Sequence, residues 1–218
     1  MSADGGPRVE YLAITGELDA WRAIGLSVAD DGLVPLFGAS LRVTPPSESP
    51  GPNVPHGAIS GWALSGVTAL PGSIDGLTTE AVESQAPVYA DHPLGATAID
   101  HVVVATPDLE RTSTAIAGAT GCELKRIRDL GSMRQGFHRI GRGGLIVELV
   151  ERPDVEPGPA NFWGLVLIVD DLDAACATIG SRLIGGPKDA VQPGRRIATV
   201  RDDAGLGVPL ALMTPDSR

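Results

Sequence analysis

The sequence is short of the residue types that advertise a function. It has only two cysteines, Cys122 and Cys176, far apart and without CxxC spacing, which suggests neither a disulfide framework nor a zinc ribbon. Aromatic residues make up 4% of the chain, so each one is worth locating. No apolar run approaches the roughly 20 residues of a membrane helix. The start, Met1 to Arg8, lacks the charged and apolar regions of a signal peptide, so a cytoplasmic location is expected. Basic residues are also scarce, 17 Lys and Arg against 27 Asp and Glu. A net charge of −10 repels nucleic acid and anionic lipid. Small molecules, or a second copy of the chain as a homodimer, are the expected partners.

What is present is a repeated pattern of apolar strands and one-sided helices. Ile99 to Val104 reads as a strand buried on both faces. Thr106, Pro107 and Asp108 make a turn. From Leu109 a helical spacing of apolar and small residues runs to Ala119 and stops at Gly121. Three further strands are predicted over Cys122 to Arg128, Met133 to Ile140 and Leu145 to Val150, giving a βαβββ unit. A second unit starts at Phe162, with a strand over Gly164 to Val169, a helix over Leu172 to Ile179, and strands near Ala190, Arg196 to Arg201 and Val208 to Met213. Two such units of about 60 residues form an internal repeat with implied pseudo-twofold symmetry.

Residues 1–95 echo the plan in shortened form, with strands at Val9 to Thr15 and Ala39 to Val43, a helix at Leu18 to Ile24, and another opening strand at Ile59 to Val67. Thr44 to Pro55 reads as a Pro, Ser and Gly linker, and Val88 to Leu94 as an irregular connector. An unrelated small α/β domain is the alternative for this half. The expected division is 1–95 for the abbreviated half and 96–218 for a complete module pair.

Four segments in order carry a family resemblance: Ile99 to Glu110 (IDHVVVATPDLE), Leu145 to Glu151 (LIVELVE), Leu167 to Asp173 (LIVDDLD) and Arg201 to Leu210 (RDDAGLGVPL). Together they resemble the vicinal oxygen chelate superfamily, which includes glyoxalases, extradiol dioxygenases and bleomycin-resistance proteins. The resemblance implies an α+β fold of paired βαβββ modules forming a half-open eight-stranded barrel around a cavity. In its metal-dependent members, four strands each supply one ligand to a divalent cation (Mn, Fe, Ni or Zn), and two vicinal substrate oxygens complete the sphere. His101 and Glu148 fall on two of those positions. Gly164 and either Pro209 or Ala211 fall on the others, so the metal set is incomplete and no metal is the second expectation. His138 and His92 are conceivable substitute ligands. In the N-terminal half Tyr11, Arg42 and Ala63 occupy the corresponding places, and no ligand survives.

Without a metal, His101 and Glu148 on one face can act as an acid–base couple, bind a polar ligand, or simply satisfy each other. Around them, Gln135 and Phe137 share a strand face and are the expected ligand wall, with Arg134 and His138 on the other face. Trp163 is either core or part of an apolar ligand site. Of Arg195 and Arg196, at most one points inward, and Arg196 is the expected ligand contact. These residues imply a glyoxalase-like protein acting on a small oxygen-bearing organic molecule as a lyase, isomerase or oxygenase. The alternatives are metal-free sequestration of the bleomycin-resistance type and, more weakly, a structural or regulatory protein whose cavities are filled by side chains.

Overall fold

The computed structural model describes residues 5–46, 58–67 and 71–216. Alternation of apolar residues every second position builds two mixed sheets. The first contains β1 (Arg8–Thr15), β2 (Leu33–Val34), β3 (Ser40–Thr44), β4 (Ala58–Ser65), β5 (Ser73–Ile74) and β6 (Leu77–Ala81), with helix α1 (Leu18–Ala23) following β1. The second contains β7 (Ala96–Thr106), β8 (Arg126–Asp129), β9 (Arg134–Arg139), β10 (Ile146–Glu151), β11 (Asn161–Val169), β12 (Lys188–Asp189), β13 (Arg196–Thr199) and β14 (Leu210–Met213). Helix α2 (Leu109–Thr120) follows β7 and α3 (Leu172–Ile179) follows β11. Most of the linker expected at Thr44 to Pro55 lies outside the described residues.

Both βαβββ units of the C-terminal half are present. The sheet order is β12, β13, β14, β11, β7, β10, β9, β8, with β7 and β11 antiparallel at the centre and β10 and β14 parallel to them on either side. The first sheet repeats this plan in short form. Its order is β2, β3, β1, β4, β6, β5, again with an antiparallel central pair, β1 and β4, flanked by parallel neighbours β3 and β6. Its second unit runs from β4 straight into β5 and β6, and among the described residues it has no helix. The short strands β2, β5 and β6 were not expected from sequence, because two to five residues show too little periodicity to read.

Local chemistry explains the helix boundaries. The Asp108 carboxylate accepts the Arg111 backbone N–H at 2.9 Å and caps α2. Gly121, at φ 70°, ends it in the left-handed conformation. Asp171 caps α3 in the same way through Ala174 N–H at 3.0 Å.

The helices identify the two faces of the C-terminal sheet. A Cβ on Gly136 would meet both methyls of Leu109 in α2 at 3.2 Å, and His138 bonds Ser113 of α2, so Gly136 and His138 face the helix side. Val102, Val104, Val147, Leu149, Leu165 and Leu167 share that side and are almost wholly buried. The first sheet packs there too. Trp62 of β4 meets Phe162 of β11 edge to face, with ring centroids 5.6 Å apart, and its indole N–H donates to Thr79 at 2.7 Å. Asp75, in the β5–β6 turn, accepts from Arg111 and Thr112 of α2. One continuous apolar core therefore joins both sheets.

Because that core is shared, a fragment of residues 96–218 would expose the helix-side surface around Phe162. We expect it to aggregate or form oligomers in size-exclusion chromatography. A soluble, monomeric fragment with the native circular dichroism spectrum would contradict the shared core.

Candidate functional site

Since Gly136 and His138 point to α2, strand alternation turns Gln135 and Phe137 to the opposite, helix-free face. Register then builds that face strand by strand. Phe137 lies opposite Glu148, Glu148 opposite Val103, and Val103 opposite Gly164. One step along, Ile146 lies opposite His101, His101 opposite Val166, and Val166 opposite Ala211. His101, Glu148, Gln135 and Phe137 are thus brought together on one face.

They form part of a polar chain that crosses the sheet. Arg195 Nη2 lies 2.6 Å from Asp100 Oδ1. That nitrogen makes no hydrogen bond of acceptable direction, so we treat the contact as an ion pair; Arg195 Nε donates to the Thr214 carbonyl at 2.8 Å. Asp100 Oδ2 is 2.7 Å from His101 Nδ1. His101 Nε2 is 3.3 Å from Glu148 Oε2, at ion-pair distance. Glu148 Oε1 accepts from Gln135 Nε2 at 2.6 Å. His101 and Arg195 are buried, with 7% and 8% of their surface exposed.

The electrostatics fix where protons can sit. Burial pushes the Asp100 carboxyl up, but the hydrogen bond with His101 and the adjacent Arg195 guanidinium, reinforced by the charge of His101, outweigh it and hold its pKa below the usual range. Asp100 is therefore ionised at neutral pH and accepts the Nδ1 proton of His101. Burial raises the Glu148 pKa, against the lowering charge of His101. With Nδ1 turned to Asp100, Nε2 is the nitrogen that His101 presents to Glu148.

Arg196 is a correction: it points out of the site and pairs with Asp173 of α3 at 2.7 Å, while its neighbour Arg195 is the inward one. Strand alternation allowed only one of the two inside, but the sequence does not say which. Trp163 is not core: it is 56% exposed, at the β11 bulge where Trp163 and Gly164 together oppose Val103. Phe162 takes the core place instead.

Neither substitute histidine is available. His138 lies on the helix side, bonded to the Cys122 carbonyl and Ser113 Oγ at 2.9 Å each, and burial lowers its pKa, opposed by the Cys122 carbonyl. His92 receives the Ser27 N–H at 3.0 Å and reaches the Pro35 carbonyl at 2.7 Å, tying the connector to the first sheet. Asp100 was missed as a site residue. Its adjacency to His101 was the available signal, but strand alternation alone would send its side chain to the opposite face. The sheet is irregular here: β11 shifts register between Val166, opposite His101, and Leu167, opposite Ile99.

The residues present do not fit a firmly held divalent ion. Among the described residues no three His, Cys, Asp or Glu side chains converge as a metal group. His101 spends Nδ1 on Asp100, and Glu148 spends one oxygen on Gln135. The Gly164 position leaves no room for a ligand, because even a Cβ there would lie 2.8 Å from the Pro209 carbonyl oxygen. On the first sheet, the corresponding cluster is Tyr11, Arg42 and Glu80, with the Tyr11 hydroxyl donating to Glu80 at 2.6 Å and Arg42 lying 4.9 Å over the Tyr11 ring. A cleft of about 480 Å³ lies beyond the N-terminus of α2. Its Arg111, Arg134 and Arg152 are each paired with a carboxylate.

Two substitutions test this geometry. Gly164→His should not restore metal binding and should lower stability by about 1–3 kcal/mol through overpacking; stoichiometric metal in this variant would contradict the crowding by Pro209. Asp100→Ala leaves Arg195 buried without its carboxylate and should cost about 3 kcal/mol in chemical denaturation. Glu148 has a raised folded-state pKa, so its stabilising contribution is complete below the unfolded pKa and is lost as pH rises through the folded one. Glu148→Gln should therefore gain stability relative to the native protein as pH rises from about 4 to 8, and an unchanged difference across that range would refute the burial of this carboxylate.

The sequence matches no protein-family profile and no curated protein. Solved structures do match. A triple mutant of 4-hydroxymandelate synthase from Streptomyces coelicolor superposes with a TM-score of 0.65 at 15% identity, covering 97% of this chain and 93% of that one. Methylmalonyl-CoA epimerase from Mycobacterium tuberculosis gives 0.47 at 19% identity, over 56% of this chain and 90% of that one. A methylmalonyl-CoA epimerase variant from Streptomyces coelicolor in complex with 2-nitronate-propionyl-CoA gives 0.46 at 21%, over 56% and 96%. The first superposition, which spans both sheets, together with the paired βαβββ topology, shows that this chain has the vicinal oxygen chelate fold.

Proposed function

We propose that the protein binds a small oxygen-bearing organic molecule on the helix-free face of the C-terminal sheet, and that His101 and Glu148 act on it as a metal-independent acid–base pair. The observation that carries this reading is the run Arg195, Asp100, His101, Glu148, Gln135. A purely structural pair needs no ionised carboxylate and buried arginine behind it. Here Asp100 sets the tautomer of His101, so its Nε2 faces Glu148 and any ligand oxygen or acidic C–H that comes between them. Proton transfer next to a carbonyl is the chemistry these side chains supply by themselves, which favours the isomerase or lyase branch over the oxygenase branch. In this proposal residues 96–218 carry the site, and residues 1–95 serve as the scaffold that covers its helix side.

Sequestration of an oxygen-bearing molecule without turnover is the second reading, favoured by the half-buried apolar wall of Phe137 beside Glu148. The two readings separate on exchange. Under the first, a bound ketone should lose its α-deuterium to water, and His101→Gln or Glu148→Gln should slow this by about 100-fold or more; binding without exchange would leave only sequestration. Metal analysis is the prior check. After dialysis against a mixture of manganese, iron, nickel and zinc, the native protein and His101→Ala should both retain far less than one ion per chain. Stoichiometric metal lost only in the variant would overturn the metal-independent reading.

A further inference from the structure

The helix-free face carries two cations that the acid–base pair does not use. Strand β8 forms one edge of the C-terminal sheet. Its Arg126 lies opposite Phe137 and its Arg128 opposite Gln135, so both share the face of Glu148. Among the described residues neither guanidinium meets a carboxylate, whereas Arg22, Arg111, Arg134, Arg152, Arg195 and Arg196 each do. Arg126 instead lies 4.8 Å over the Phe137 ring in a cation–π contact, which holds the guanidinium on this face of the sheet. Two guanidiniums on one face of an edge strand, one of them over an aromatic ring, can receive a carboxylate through paired hydrogen bonds.

Resting on the function proposed above, we infer that Arg126 and Arg128 form the anion-binding end of the same site, and that its ligand is an oxo- or hydroxy-carboxylic acid. The register sets the ligand's length. Arg126, Phe137 and Glu148 stand in one row across β8, β9 and β10, so two strand spacings, about 10 Å, separate the cationic end from the acid–base pair. The carboxylate binds at the arginines, the carbon chain crosses the Phe137 ring, and the oxygen-bearing carbon reaches His101 and Glu148. Gln135, bonded to Glu148 and opposite Arg128, stands between the two ends. A neutral molecule of the same shape would leave both guanidiniums unanswered.

The test uses the full chain with straight-chain oxo-acids of five to nine carbons, the ketone placed next to the terminal methyl, and their methyl esters. Binding is followed by NMR of the arginine Nε–Hε and histidine imidazole signals. The expected result is that at least one acid shifts the signals of Arg126, Arg128 and His101 together and binds about tenfold or more tightly than its ester. The double variant Arg126→Gln with Arg128→Gln, at exposed or half-buried edge-strand positions that leave the core untouched, should bring that ratio to about one, and Arg126→Lys should recover part of it. Esters that bind as well as the acids would overturn the inference while leaving the His101–Glu148 reading intact. Acids that move the arginine signals but not His101 would keep the carboxylate subsite and remove the reading on which its role depends. Acids that move neither overturn the inference.

Discussion

A buried imidazole that gives one nitrogen to an ionised carboxylate has only the other left for chemistry, and most of what is distinctive here depends on that constraint. Asp100 is kept ionised by Arg195 and holds Nδ1 of His101. The remaining nitrogen faces Glu148, whose carboxyl is raised by burial and anchored by Gln135. In the same fold a metal would draw on both His101 and Glu148 as ligands. Here Asp100 takes one nitrogen of His101 and Gln135 one oxygen of Glu148, and the opposite strand offers Gly164 pressed against Pro209 in place of a third ligand.

The fold makes this possible by assigning the two faces of one sheet to different tasks. The helix side is filled by α2 and by the first sheet through Trp62 and Phe162, and it supplies the shared core. The other face can then hold charged groups that a two-sided core would not tolerate. His138 shows how strict the division is. It sits one residue along β9 from Phe137, yet it points to α2, where burial favours its neutral form and Ser113 and Cys122 satisfy both nitrogens.

Most of the architecture was legible in the sequence because periodicity and capping reinforce each other. The α3 boundaries, Leu172–Ile179, follow from Asp171 and Gly180, and the strand, helix and hairpin order of both C-terminal modules follows from apolar alternation. The short strands β2, β5 and β6 were not legible, since pairing with longer neighbours, not their own pattern, makes them strands. At the site, the shared face of Gln135, Phe137 and Glu148 could be read from alternation. Asp100 could not, because strand alternation assigns it to the face opposite His101. The choice of Arg195 over Arg196 depended on where β13 begins, a matter of one residue. Arg126 and Arg128 were hidden for a related reason, as only the register of the edge strand β8 brings them beside Phe137 and Gln135.

Asp100 holds one imidazole nitrogen of His101, and the other faces the carboxyl of Glu148. The most direct measurement is imidazole nitrogen-15 NMR of the histidine-labelled protein near neutral pH, with His101 assigned through His101→Gln. The account predicts a protonated Nδ1 at every pH at which Asp100 is ionised, and an Nε2 signal that moves when Glu148 titrates and stops moving in Glu148→Gln. A bare Nδ1, or an Nε2 signal indifferent to Glu148, would contradict it.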